Sequence, residues 1–221
     1  MTTLSRTEIS DGILAELDAF GDLLGSLQPT DLAAATRCTG WTVADVAGHM
    51  VGQMTDVAEG RLDGLGTPEV TEREAKEHRG RSAPELRAEL AESRARAAEM
   101  LALFDDAAWD GPVGTDFDGT LGDGVLALWL DGYLHADDIR AALGQPAVRG
   151  DGLRASIHWV ARDLNQRGWR PATLALDGMD VLDIGGGGEK ITGDPYEFLL
   201  VATGRADPSP FGLDESVNIF G

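Results

Sequence analysis

Four long stretches of this chain repeat apolar residues every three or four positions, and a stripe of that period is buried by packing one helix against others. The first runs from Ser5 to Leu27 with Ile9, Ile13, Leu14, Leu17, Phe20 and Leu24 on its stripe. Gln28-Pro29 closes it, because proline cannot continue a helix. The second starts at Thr42, an N-cap with Asp45 three residues on in the spacing of a capping box, and carries Val43, Val46, Met50, Met54 and Val57. The third begins near Ser82 and is rich in Ala, Leu, Glu and Arg, all strong helix formers. The fourth spans Val125 to Leu143 and stops at Gly144-Gln145-Pro146. Between them, Gly60–Arg81 reads as a long, partly ordered connection and the Gly- and Asp-dense Trp109–Gly124 as loop. Four helices with long connections predict a bundle rather than an α/β sheet.

After Gly150 the texture changes. Leu153–Arg167 reads as a fifth helix, Thr173–Leu176 and Val181–Ile184 as short strands, and Gly185–Gly188 as a turn. Asp194-Pro195 opens a last helix through Phe198, Leu199 and Val201, and Ser216–Phe220 reads as a final strand. The expected fold class is therefore α plus α+β, with a bundle over 1–150 and a small α+β domain over 151–221.

The chain has 221 residues, 43% of them hydrophobic, enough to bury a real core. Its 38 acidic and 18 basic side chains give a formal charge of -20. Such a field repels phosphate backbones and anionic lipid, so neither nucleic acid nor a membrane surface is an expected partner. With Cys38 as the single cysteine, no internal disulfide and no CxxC metal site can form. Residues 1–28 lack the apolar core of a signal peptide, and no stretch is long enough to span a bilayer. The expected location is the cytoplasm. The pattern sets no oligomeric state.

Chemistry concentrates on the fourth helix, where Leu128, Asp131, His135, Ile139 and Ala142 fall on one side. A carboxylate on a core stripe is costly unless something positive meets it. His135 lies one turn beyond Asp131, close enough for both to grip one ion. His49 flanks the stripe of the second helix and can point into the same interior. Two imidazoles and a carboxylate make a zinc set with one coordination position left open, as catalytic sites have. The alternative is that Asp131 and His135 merely bond each other, with His49 a satisfied core histidine.

The run Gly40-Trp41-Thr42-Val43-Ala44-Asp45-Val46-Ala47-Gly48-His49 resembles the start of the second helix in mycothiol-dependent maleylpyruvate isomerase-like proteins, of the DinB-like bundle superfamily. Asp131-Gly132-Tyr133-Leu134-His135 followed by Asp138 resembles that family's second signature, and Ile191 to Arg205 the end of its C-terminal domain. The resemblance implies a DinB-like four-helix bundle followed by a small α+β domain, with zinc on His49, Asp131 and His135. Glutamate is usual in the family at the position of Asp131, and aspartate is one methylene shorter. It also implies mycothiol as the thiol cofactor, a small electrophilic substrate, and isomerase chemistry of the maleylpyruvate type or thiol S-transfer. Arg205 matches a Gly-Arg of the family pattern in which the arginine can grip a substrate carboxylate; its structural alternative is a cation at a helix C-terminus. A non-catalytic, metal-binding sensor or interaction module is the competing reading of the whole chain.

Other signals are weaker. Asp116-Phe117-Asp118-Gly119-Thr120 spells the DxDGT motif of haloacid-dehalogenase-like phosphatases, whose first aspartate attacks phosphorus. The glycines and proline before it cannot form the strand that motif needs, so the match reads as chance. Gly185–Gly188 lacks the ending of a phosphate loop, and the Asp-rich loop lacks calcium-loop spacing. His78 and His158 show no evident partner, and Cys38, just before Gly40-Trp41, reads as a buried apolar thiol, with a place near the site as the alternative. Met50 and Met54 read as core filler.

Overall fold

The computed structural model describes residues 4–114 and 117–221. It is mostly helical, with one small three-stranded sheet, and the chain divides into two compact units. The larger unit, Arg6–Val148, is built on α1 (Arg6–Ser26), α2 (Val43–Ala58), α3 (Pro68–His78), α4 (Ala83–Leu103), the single turn α5 (Asp106–Trp109) and α6 (Leu121–Ala142). In it α1 packs on α4 and α6, while α2 packs on α3, α4 and α6.

Local chemistry starts these helices. The Thr42 hydroxyl accepts from the Asp45 amide while the Asp45 carboxylate accepts from the Thr42 amide at 2.9 Å, a reciprocal cap worth about 1 kcal/mol. Thr120 and Asp123 do the same for α6, so that helix begins at Leu121, four residues before the expected Val125. The glycines at 122 and 124 suggested loop, but a Cβ on Gly122 would lie 2.5 Å from the Trp109 indole nitrogen, so that glycine is there for packing. The bundle interior holds Leu17, Phe20 and Leu24 of α1, Met50 and Met54 of α2, Leu86 and Leu90 of α4, and Leu134 and Ile139 of α6, all at most 2% exposed. Each such side chain contributes roughly 1.5–3 kcal/mol by leaving water.

The Gly60–Arg81 stretch departs from expectation. Eleven of its residues form α3, capped by Thr67 with Pro68 in the first turn. Almost uniformly polar, it carries no apolar stripe, so periodicity could not reveal it.

The second unit comprises Arg149–Gly221 together with Leu4 and Ser5. Here α7 (Asp151–Gln166) and α8 (Pro195–Ala202) accompany β1 (Ala172–Leu174), β2 (Leu182–Ile184) and β3 (Glu189–Ile191). The sheet order is β2-β1-β3, with β1 antiparallel to β2 and parallel to β3. Gly185, Gly186 and Gly187 all have φ between 60° and 88°, the left-handed region in which side chains are strained, and this makes the turn into β3. β3 was not expected, since two of its three residues are exposed. The expected strand at Ser216–Phe220 is instead a 3-10 turn, Glu215–Val217. The Asp214 carboxylate caps it by accepting from the Ser216 amide at 3.0 Å, and an aspartate turn outcompetes a short strand pattern. Among the described residues, no helix is long and apolar enough to cross a membrane.

Candidate metal centre

Residues from α2 and α6 converge in the bundle. His49 Nε2 lies 3.5 Å from Asp131 Oδ2, and His135 Nε2 lies 3.4 Å from Asp131 Oδ1. The imidazole rings stand at 90° with centroids 5.0 Å apart, and all three ligand atoms fall within 4.8 Å of one another. His49 is buried, His135 nearly so, and Asp131 about a quarter exposed, which leaves one side of the cluster reachable. Trp41 meets the His49 ring edge-on at 5.5 Å and walls the site.

Each imidazole has a partner on the nitrogen facing away from the cluster, and Asp131 has one on the oxygen it turns to His49. His49 Nδ1 donates to Glu74 Oε2 at 2.8 Å, His135 Nδ1 donates to Asp138 Oδ2 at 3.1 Å, and the Gln53 amide donates to Asp131 Oδ2 at 2.8 Å. With both Nδ1 protons committed, the two Nε2 atoms are the ones turned toward Asp131. Burial alone would lower the His49 pKa, but its hydrogen bonds and attraction to Asp131 and Glu74 outweigh that and push it up to about 9. Burial works to raise the Asp131 carboxyl, yet His135, His49 and Gln53 together hold it well below the usual carboxylate range. The same arrangement favours positive charge on the ring beside Asp131. Two nitrogen donors and one oxygen donor are a set that a metal such as zinc accepts.

A second group, Cys38, His135 and Asp138, has similar spacing on the Nδ1 side of His135. Its members already satisfy one another: the Cys38 thiol donates to Asp138 Oδ2 at 3.2 Å, and Arg37 pairs with Asp138 Oδ1 at 2.9 Å. The environment of Cys38 is thus polar and half-buried, where an apolar pocket was expected.

His78, expected to lack a partner, is buried on α3, with Nδ1 donating to the Glu74 carbonyl at 2.7 Å and Nε2 3.1 Å from Glu89. His158 pairs with Asp180 at 2.9 Å in the C-terminal unit. Arg205 follows α8 in that unit and donates to the Thr203 carbonyl at 3.1 Å. Asp116, head of the phosphatase-like motif, lies outside the described residues, and Thr120 of that motif serves as the α6 N-cap. Sequence reading missed Gln53 and Glu74. Gln53 lies one turn beyond His49, a spacing that could have drawn notice, whereas Glu74 sits on the helix that periodicity did not reveal.

Residues 13–140 match the family model of the mycothiol maleylpyruvate isomerase N-terminal domain. No curated protein matches the chain by sequence. Among solved structures, a mycothiol-dependent maleylpyruvate isomerase superposes with a TM-score of 0.70 at 17% identity, covering 97% of this chain and 98% of that one. A histidine-to-alanine mutant of such an enzyme superposes at 0.63 with 18% identity and the same coverage. At that identity the superpositions speak for the fold, a DinB-like bundle with its small C-terminal domain, while the model match spans more than half the sequence. The chain belongs to the mycothiol maleylpyruvate isomerase N-terminal domain family.

Proposed function

We propose that this chain is a zinc-dependent enzyme that uses a low-molecular-weight thiol, mycothiol, on a small electrophilic substrate, with His49, Asp131 and His135 as metal ligands. The observation that carries the reading is a partly exposed carboxylate between two Nε2 atoms at 3.4 and 3.5 Å, in a place where a cation relieves the crowding of charge. A zinc ion bound there would supply Lewis acidity, lowering the pKa of a coordinated thiol so that it is held as thiolate. Two imidazoles and one carboxylate would leave a fourth coordination position that a thiolate can fill.

Gln53 holds Asp131 and Asp138 holds His135, so the donors keep their orientation when a ligand arrives. Trp41 packs edge-on against the His49 ring. Arg205 is the proposed grip for a substrate carboxylate, its planar guanidinium matching two oxygens at once. Isomerisation of the maleylpyruvate type and transfer of the thiol both begin with thiolate attack on an electrophilic carbon.

Metal analysis of the purified protein beside His49→Ala, together with loss of an electrophile such as maleylpyruvate in the presence of mycothiol, tests the reading. Near-stoichiometric zinc and mycothiol-dependent turnover in the wild type, both lost in the variant, are expected. Equal zinc in both proteins would end the ligand assignment. Zinc without turnover would identify a non-catalytic binding module instead.

A further inference from the structure

Helix α3 is an odd helix to keep. Of its eleven residues only Glu74, Ala75 and His78 are buried, so hydrophobic burial does little to hold it. Yet α2 approaches it to backbone contact. A Cβ on Gly52 would lie 2.8 Å from Glu74 Cβ and 3.1 Å from Glu74 Cα, and one on Gly48 would lie 2.9 Å from His78 Cβ. Two interior glycines cost α2 roughly 1 kcal/mol each relative to alanine, and the return is this close seam. Ion pairs fasten it on both sides of Glu74: Arg73 with Asp56, and Arg79 Nε with Asp45 Oδ1 at 2.7 Å. At the candidate metal centre the seam delivers one contact, Glu74 Oε2 on His49 Nδ1 at 2.8 Å, with both side chains at most 3% exposed.

We propose that Glu74 is a positioning residue for His49. By accepting the Nδ1 proton it fixes the ring's rotation and leaves Nε2 as the nitrogen that would give up its proton to a metal, facing Asp131 and His135. An imidazole without such a partner can place its proton on either nitrogen and turn about its side-chain bonds, and only a fraction of those states can bind a metal. A buried carboxylate at hydrogen-bond distance selects one of them, because leaving that carboxylate without its donor is costly. The inference rests on the metal reading above. It adds that α3 serves the site by carrying this one acceptor, which the α2 glycines admit.

The test compares zinc affinity, measured by competition with a chelator, in full-length wild type, Glu74→Gln and Glu74→Leu. Glutamine keeps an acceptor of the same reach, and leucine keeps the bulk without one. The leucine variant is expected to bind zinc about 10- to 100-fold more weakly, with glutamine recovering most of the loss. In the metal-free proteins, nitrogen-15 spectra of the His49 ring should show a hydrogen-bonded Nδ1 proton in wild type and Glu74→Gln that is absent in Glu74→Leu. Thermal melts without zinc establish that each variant is folded. Wild-type affinity in folded Glu74→Leu overturns the proposal, as does an equal loss in both variants, since the acceptor would then not be what matters. If the wild type itself takes up no zinc, the metal reading fails, and the Nδ1 proton signal alone decides whether Glu74 orients the ring.

Discussion

Among the described residues, histidine pairs with aspartate in a cluster in each unit, and the two differ in how the charge is closed. In the C-terminal unit Asp180 Oδ2 accepts from His158 Nε2 at 2.9 Å and from Arg154 Nε at 2.8 Å. The guanidinium answers the carboxylate, so that cluster is complete as it stands. In the bundle Asp131 faces two imidazoles, and among the described residues no guanidinium reaches it. Glu74 adds a further carboxylate behind His49, with Arg73 3.9 Å from its other oxygen. There the charge facing Asp131 comes from the His49 ring, which its carboxylate neighbours keep protonated up to about 9. The lesson is to count compensating charges: histidine beside aspartate is common, and a carboxylate at their centre that no guanidinium answers is what marks a site.

The contrast can be broken most directly with zinc. At a free concentration about a hundred times its Kd, zinc should stabilise the wild type by about 2.7 kcal/mol, read as a rise in Tm. His158→Ala should keep that rise and His135→Ala should lose it; a rise that survives His135→Ala would erase the distinction between the clusters. Next comes pH. His49 in the folded, metal-free bundle titrates at about 9, above its ordinary 6.5, with Asp131 and Glu74 favouring the charged ring. The stability this gives is fully present below 6.5 and is lost as pH rises through about 9, a change on the order of 3 kcal/mol at most. Urea titrations of metal-free protein across that window should show the slope, and His49→Gln should flatten it. The third effect is on the seam. Gly52→Ala places a Cβ against the α3 backbone and should cost about 1–3 kcal/mol in denaturant melts, with zinc affinity falling alongside. Unchanged affinity in that variant would mean that α3 can move without disturbing His49.

Much of the bundle was legible because its signals are local. Thr42 with Asp45 gave the start of α2, and Asp131 with His135 gave the inward pair on α6, each from spacing alone. What was missed depends on partners distant in the chain. Helix α3 has no apolar period, and its best trace in the sequence is on another helix: Gly48 and Gly52 flank His49 four residues apart, a sign of close backbone approach. His78 read as partnerless because Glu89 is on α4. In the C-terminal unit the expected strand near Ser216 failed for the opposite reason, a local aspartate cap overriding a weak periodic hint.

Gln53 and Asp131 lie 78 positions apart in the chain, and the three proposed ligands join the same two helices, α2 and α6. An ion held there would act as a removable cross-link, closing a long stretch of polypeptide that otherwise closes at an entropic cost. The lifetime of the folded bundle in a cell would then follow zinc supply, with starvation loosening the same two helices that carry the chemistry.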